Sequence, residues 1–134
     1  MKRKSVLTVL CVLALGGCAE MQTGPDSPPS PYAGRMNAAS DQYLACISRE
    51  AEKDMKNPAG AEDIATAAHG RCWSAWEAYR GATNADFSYG ARTPDEMQFG
   101  RDKAEAHLRQ FEREARRAIV ERVIERSREL DKPR

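Results

Sequence analysis

The stretch that decides the fold is TPDEMQFGRDKAEAHLRQFEREARRAIVERVIERSREL, residues 93–130. It opens with a capping threonine, Thr93, followed by Pro94 at the first helical position and Glu96 at the third. Thr93 can accept from the orphan backbone N–H groups and Glu96 can reach back, which makes a capping box with its preferred proline. A helix is predicted from there to about Leu130, about 36 residues and roughly 54 Å long. Its apolar residues hold one face from Met97 through Ala104, Leu108, Phe111, Ala115 and Ile119. Arg122 and Arg126 then fall where that face should continue, and the apolar set becomes Val120, Val123, Ile124 and Leu130, rotated by roughly 100°. The end of the helix is expected to overhang the shorter elements before it and to bury that second set against a protein partner or a second copy of the chain.

Upstream, alanine, glutamate and arginine dominate and no run alternates with period two, so two more helices and no sheet are predicted. The first spans about Ala38 to Lys56, with Tyr43, Leu44, Ile47, Ala51 and Met55 on one arc, and stops at Asn57-Pro58. The second spans about Ala61 to Arg80, burying Ile64, Ala65, Ala68, Cys72, Ala75 and Tyr79, with Glu62 and Asp63 favourable in its first turn. Gly81 is expected to end it. A loop, GATNADFSYGAR, residues 81–92, follows, with Phe87 and Tyr89 lying down on the bundle. The expected fold is all-α, a three-helix bundle with a long C-terminal helix.

The chain begins with Lys2, Arg3 and Lys4, continues as a mostly apolar run from Val6 to Leu15, and reaches Gly16, Gly17 and Cys18. A positive start, a short apolar stretch and small residues before a cleavage point form a secretory segment, far short of the ~20 residues that span a bilayer. Leu15-Gly16-Gly17-Cys18 resembles the lipobox of bacterial lipoproteins. That resemblance, which covers residues 1–18, implies removal of residues 1–17 as a signal peptide, a diacylglyceryl group on the Cys18 thiol, and acylation of the new amine by a fatty acid such as palmitate. Two or three acyl chains give lasting attachment, at ~0.8 kcal/mol per buried methylene. Ala19 in place of aspartate implies an outer-membrane destination, on the periplasmic face. Residues 19–36, with four prolines, two glycines and no apolar period, read as a tether of roughly 55 Å at full polyproline extension. The lipidated cysteine and tether, residues 18–36, thus precede a helical domain over 37–134.

Without residues 1–17 the chain has 117 residues, one small domain's worth, and its charge falls from +1 to about −2 because three of the 21 basic residues leave and all 20 acidic ones stay. Such a balance gives no reason to expect nucleic-acid binding. Charge is uneven, with residues 101–134 the more basic end.

Cys46 and Cys72 remain once Cys18 is assigned to lipid and Cys11 to the signal peptide. They sit on neighbouring helices in an oxidising compartment, so a disulfide between them is expected to brace the bundle. The sharper alternative is a metal-binding or redox protein using Cys46, Cys72, His69 and His107, the cysteines and histidines left in the domain. Their scatter over three helices, with no C-x-x-C or H-x-x-x-H pairing, makes a weak zinc pattern. No C-x-x-C-H is present for covalent haem. No G-x-S-x-G, H-E-x-x-H or glycine-rich phosphate loop occurs either, so no catalytic activity and no cofactor are expected.

Trp73 points away from the apolar arc of its helix, towards Glu62, Thr66, Glu77 and Arg80, and is a candidate partner-binding anchor unless the last helix or the 81–92 loop covers it. Arg113, Arg116, Arg117, Arg122, Arg126 and Arg128 interleave with glutamates and read as a solvated face. Pairs such as Glu105 with Arg109 and Glu112 with Arg116 have helix-supporting i, i+4 spacing. The sequence therefore points to a lipid-anchored periplasmic protein with a structural or interaction role, its candidate contact residues being Trp73, Val120, Val123, Ile124 and Leu130. Two other roles stay open: an immunity-type inhibitor of a periplasmic enzyme, plugging it with Trp73 or the 81–92 loop, and the metal or redox protein above.

Overall fold

The computed structural model describes residues 29–56 and 59–130. The segment read as a signal peptide, Cys18, most of the stretch read as a tether and the expected Asn57-Pro58 stop lie outside the described residues. Four helices fill the rest: α1 (Ala33–Asp54), α2 (Ala61–Arg71), α3 (Trp73–Phe87) and α4 (Pro94–Leu130). No strand occurs among the described residues. The fold is all-α, a bundle of three rods, because α2 and α3 follow one another with a single non-helical residue between them.

That residue is Cys72, whose backbone leaves the helical region at φ −100° and ψ 18°. Its N–H is shared between the Ala68 and His69 carbonyls at 3.1 Å each, and its own carbonyl accepts from the Trp76 N–H at 3.0 Å, so few backbone bonds are lost at the break. The buried face runs through Ile64, Ala68, Cys72, Trp76, Tyr79 and Thr83 as if the helix were unbroken. Gly81 does not end it. The helix continues to Phe87 because Thr83, fully buried, packs in the core while its hydroxyl donates to the Tyr79 carbonyl at 2.9 Å. The twelve-residue loop read from the sequence therefore shrinks to residues 88–93, closed by Gly90 at φ +81°, a left-handed conformation that favours glycine.

The first helix begins five residues earlier than the sequence indicated, at Ala33 instead of Ala38, because Met36 and Ala39 have core to pack against. Tyr43, Ile47 and Ala51 are buried as expected, whereas Leu44 is exposed. α1 and α2 form a hairpin that Arg71 clamps: it donates to the Glu50 carboxylate and to the Glu50 carbonyl at 3.0 Å each, and to the Asp54 carboxylate. The Lys53 ammonium and the Arg71 guanidinium hold the Glu50 carboxyl below its ordinary range. Cys46 and Cys72 are joined by the expected disulfide, with Cα atoms 5.9 Å apart.

The fourth helix starts where the sequence places it. Thr93 Oγ1 accepts from the Glu96 N–H at 3.2 Å, and Glu96 Oε2 accepts from the N–H groups of Thr93 and Arg92 at 3.1 and 2.6 Å. It runs parallel to α1 and antiparallel to α2 and α3, as Arg116 shows by reaching Glu62 and Thr66 on α2, and Arg122 by approaching Glu52 on α1. Its buried face is Gly100, Ala104, Leu108, Ala115, Ile119 and Val123. This corrects the reading of a stripe that jumps after Ile119. One stripe with a repeat longer than 3.6 residues drifts round the helix by about 140° between Gly100 and Val123, as α4 passes from α3 to α2. Met97, placed on that face from the sequence, is exposed, and Gly100 holds the core position at this level.

Candidate interaction surfaces

A column of rings runs through the bundle. Tyr43, Trp76, Tyr79 and Phe111 pack with centroids 4.5 to 6.0 Å apart, and Phe87 extends the column through His107. Each histidine is tied to a tyrosine: His69 Nδ1 shares a hydrogen bond with the Tyr43 hydroxyl at 2.8 Å, and His107 Nε2 with the Tyr79 hydroxyl at 2.8 Å. Burial, reinforced by the Glu112 charge, pushes the Tyr43 phenol up to about 12, and burial raises Tyr79 as well. Both phenols stay neutral and act as hydrogen-bonding groups. The four residues of the candidate metal set thus face different partners. Cys46 and Cys72 are bonded to each other and have no thiolate to give, and among the described residues no three His, Cys, Asp or Glu side chains converge.

Trp73 closes the column at the surface. Its indole meets the His69 ring edge-on at 5.9 Å and is 51% exposed, so neither α4 nor the α3–α4 loop covers it. A tryptophan held on one side by a hydrogen-bonded histidine and open on the other has little freedom to lose on binding.

The C-terminal set divides. Val123 is 4% exposed and belongs to the core, and Val120 is half-buried against it, while Ile124 and Leu130 are 41% and 63% exposed. The core takes Val123 and Val120 because the end of α1 lies beside this stretch of α4. The Arg122 approach to Glu52 lies at this end, and Leu130 joins Met55 and Arg126 around a cavity of about 440 Å³. Only Ile124 and Leu130 of the four remain available to a partner.

The arginines of the last helix are all exposed. Arg109 pairs with Glu105 at 3.2 Å as expected, but Arg116 turns to Glu62 at 2.9 Å instead of to Glu112. The 81–92 plug dissolves, because residues 81–87 are helix.

Sequence reasoning missed an open groove of about 830 Å³ between α3 and α4, floored by Trp76 and Leu108 and lined higher up by Glu77, Arg80, Gly81, Arg101 and Glu105. Glu77 accepts from Arg80 at 2.6 Å through one oxygen, and its other oxygen, buried, has no hydrogen-bond partner among the described residues. Recognising that Gly81 lies inside a helix was the signal that could have found it, since Gly81, Asn84 and Ala85 of the groove wall were read as loop. No described helix is long and apolar enough to cross a membrane. Compared with family models, curated proteins and solved structures, the chain finds no match.

Proposed function

We propose that this chain is a bacterial lipoprotein, attached through acylated Cys18 to the periplasmic face of the outer membrane, with a structural or protein-interaction role and no catalytic activity. The observation that carries the reading is the opening segment, Lys2 to Cys18, with its charged start, short apolar run and Leu15-Gly16-Gly17-Cys18. Support for an interaction role comes from the surface: Trp73, Ile124 and Leu130 are large apolar side chains left exposed on rigid helices.

Two measurements test this. Cells fed a palmitate analogue should label the wild-type chain and not Cys18→Ser, and the variant should leave the membrane fraction. Photoreactive residues at Trp73 and Ile124, followed by mass identification, should capture a protein. Self-capture through Ile124 supports a homo-oligomeric scaffold, and capture of one enzyme through Trp73 would favour the inhibitor role. Wild-type chain without label would refute the lipoprotein reading.

A further inference from the structure

The chain enters its bundle at one particular end. The Tyr32 ring, just before α1, stands 6.1 Å from Tyr89 of the α3–α4 loop, so the start of α1, the end of α3 and the start of α4 meet there. Three large apolar side chains in these segments are exposed: Tyr89 at 44%, Met97 at 42% and Phe99 at 63%. Long cations lie over the rings, Arg35 at 5.8 Å from the Tyr32 centroid and Lys103 at 5.2 Å from that of Phe99. Amphipathic rings flanked by snorkelling cations are the composition that settles at the headgroup level of a bilayer.

The length of chain before this end says which surface it meets. Cys18 and Pro29 are eleven residues apart, which spans about 34 Å as polyproline II and at most about 40 Å. Leu130 lies about 46 Å further along α4 than Phe99. An anchor on Cys18 therefore holds the Tyr89 and Phe99 end near the membrane at an effective concentration of order mM, where even weak interfacial affinity is enough.

We propose that Tyr32, Tyr89, Met97 and Phe99, the last two on opposite sides of α4, form an end face of the bundle that rests on the phospholipid surface holding Cys18, with α4 carrying Leu130 away from it. This rests on the lipoprotein reading. Arg35, Arg92, Arg101 and Lys103 are balanced by Asp86, Asp95, Glu96 and Asp102, so the contact depends on apolar insertion and not on lipid charge.

The test places photoreactive benzoylphenylalanine at Phe99 or at Leu130 of the full chain made in a bacterial host, with palmitate incorporation measured on each. The Phe99 probe should carry phospholipid mass at least about tenfold more often than the Leu130 probe. Adding Tyr89→Ser and Met97→Ser should lower that capture severalfold while palmitate labelling and the melting temperature hold. Purified acylated chain in vesicles of phosphatidylethanolamine, with or without phosphatidylglycerol, should be captured within about twofold of each other. Equal lipid capture at both sites, capture of protein alone at Phe99, or acylated chain with no lipid at Phe99 would overturn the face and leave the anchor standing. Absence of palmitate would overturn both.

Discussion

Gly100 marks where the start of α4 crosses the end of α3. A Cβ there would lie 2.7 Å from the Phe87 carbonyl oxygen and 3.1 Å from Ser88 Cα, both backbone atoms that cannot step aside without moving the helix end. Gly100→Ala should therefore lower stability by about 1–3 kcal/mol through overpacking. Gly81 is the opposite case: it lies inside α3, and a methyl group added there would meet nothing within 4 Å, so Gly81→Ala should raise stability by about 0.5–1 kcal/mol. Urea unfolding of the two variants checks both signs, and equal effects would mean that the α3–α4 crossing is looser than described. The Tyr43 phenol offers a second residue-scale test. Burial and the Glu112 charge raise it from 10.0 to about 12, so the folded state favours its neutral form. That contribution is complete below the unfolded value and is lost as pH climbs from 10 towards 12. Ultraviolet titration of the folded chain should show a late phenolate step that Tyr43→Phe removes.

Among the elements, α4 was the most legible, because its N-terminal signal is local: Thr93, Pro94 and Glu96 satisfy one another within a single turn, whatever packs around them. Thr93→Ala should cost about 1 kcal/mol, read as a lower urea midpoint with unchanged slope. The backbone N–H groups of Arg92 and Thr93 hold the Glu96 carboxyl below its ordinary value. Its contribution is present above the unfolded pKa and fades as pH falls through the lowered one, so Glu96→Gln should flatten the acid limb of the stability profile. The boundaries of α1 and α3 were less legible because they are set by remote partners. Met36 makes residues before Ala38 helical by packing on the core, and buried Thr83 carries α3 past a glycine that local propensity marks as a stop. Tertiary burial outweighs the ~1 kcal/mol a helical glycine costs.

The whole molecule is a small bundle stapled near its middle. Closing the 26-residue separation between Cys46 and Cys72 stabilises it by about 3.5 kcal/mol on the chain-entropy model, so Cys46→Ser with Cys72→Ser should lower the melting temperature sharply under conditions where the wild type stays folded. At the far end of α4, Val123→Ala should cost on the order of 2 kcal/mol, whereas Ile124→Ser with Leu130→Ser should leave stability unchanged and weaken only association. A loss of stability on the second pair would return those side chains to the core. Helix content, the capping box and the outward direction of Trp73 were determined by the sequence itself, since propensity, local capping and helical spacing act within a few turns; the pairing of Cys46 with Cys72, 26 residues apart, was expected by elimination and formed by the packing of α1 against α2 and α3. Only the tertiary structure decided that Val123 is core, that α3 reaches Phe87 to wall a groove, and that Tyr32 meets Tyr89 where the chain enters. Each of these depends on which surface arrives from a distant part of the chain, and a stripe drifting round α4 does not name its neighbours until the helices cross.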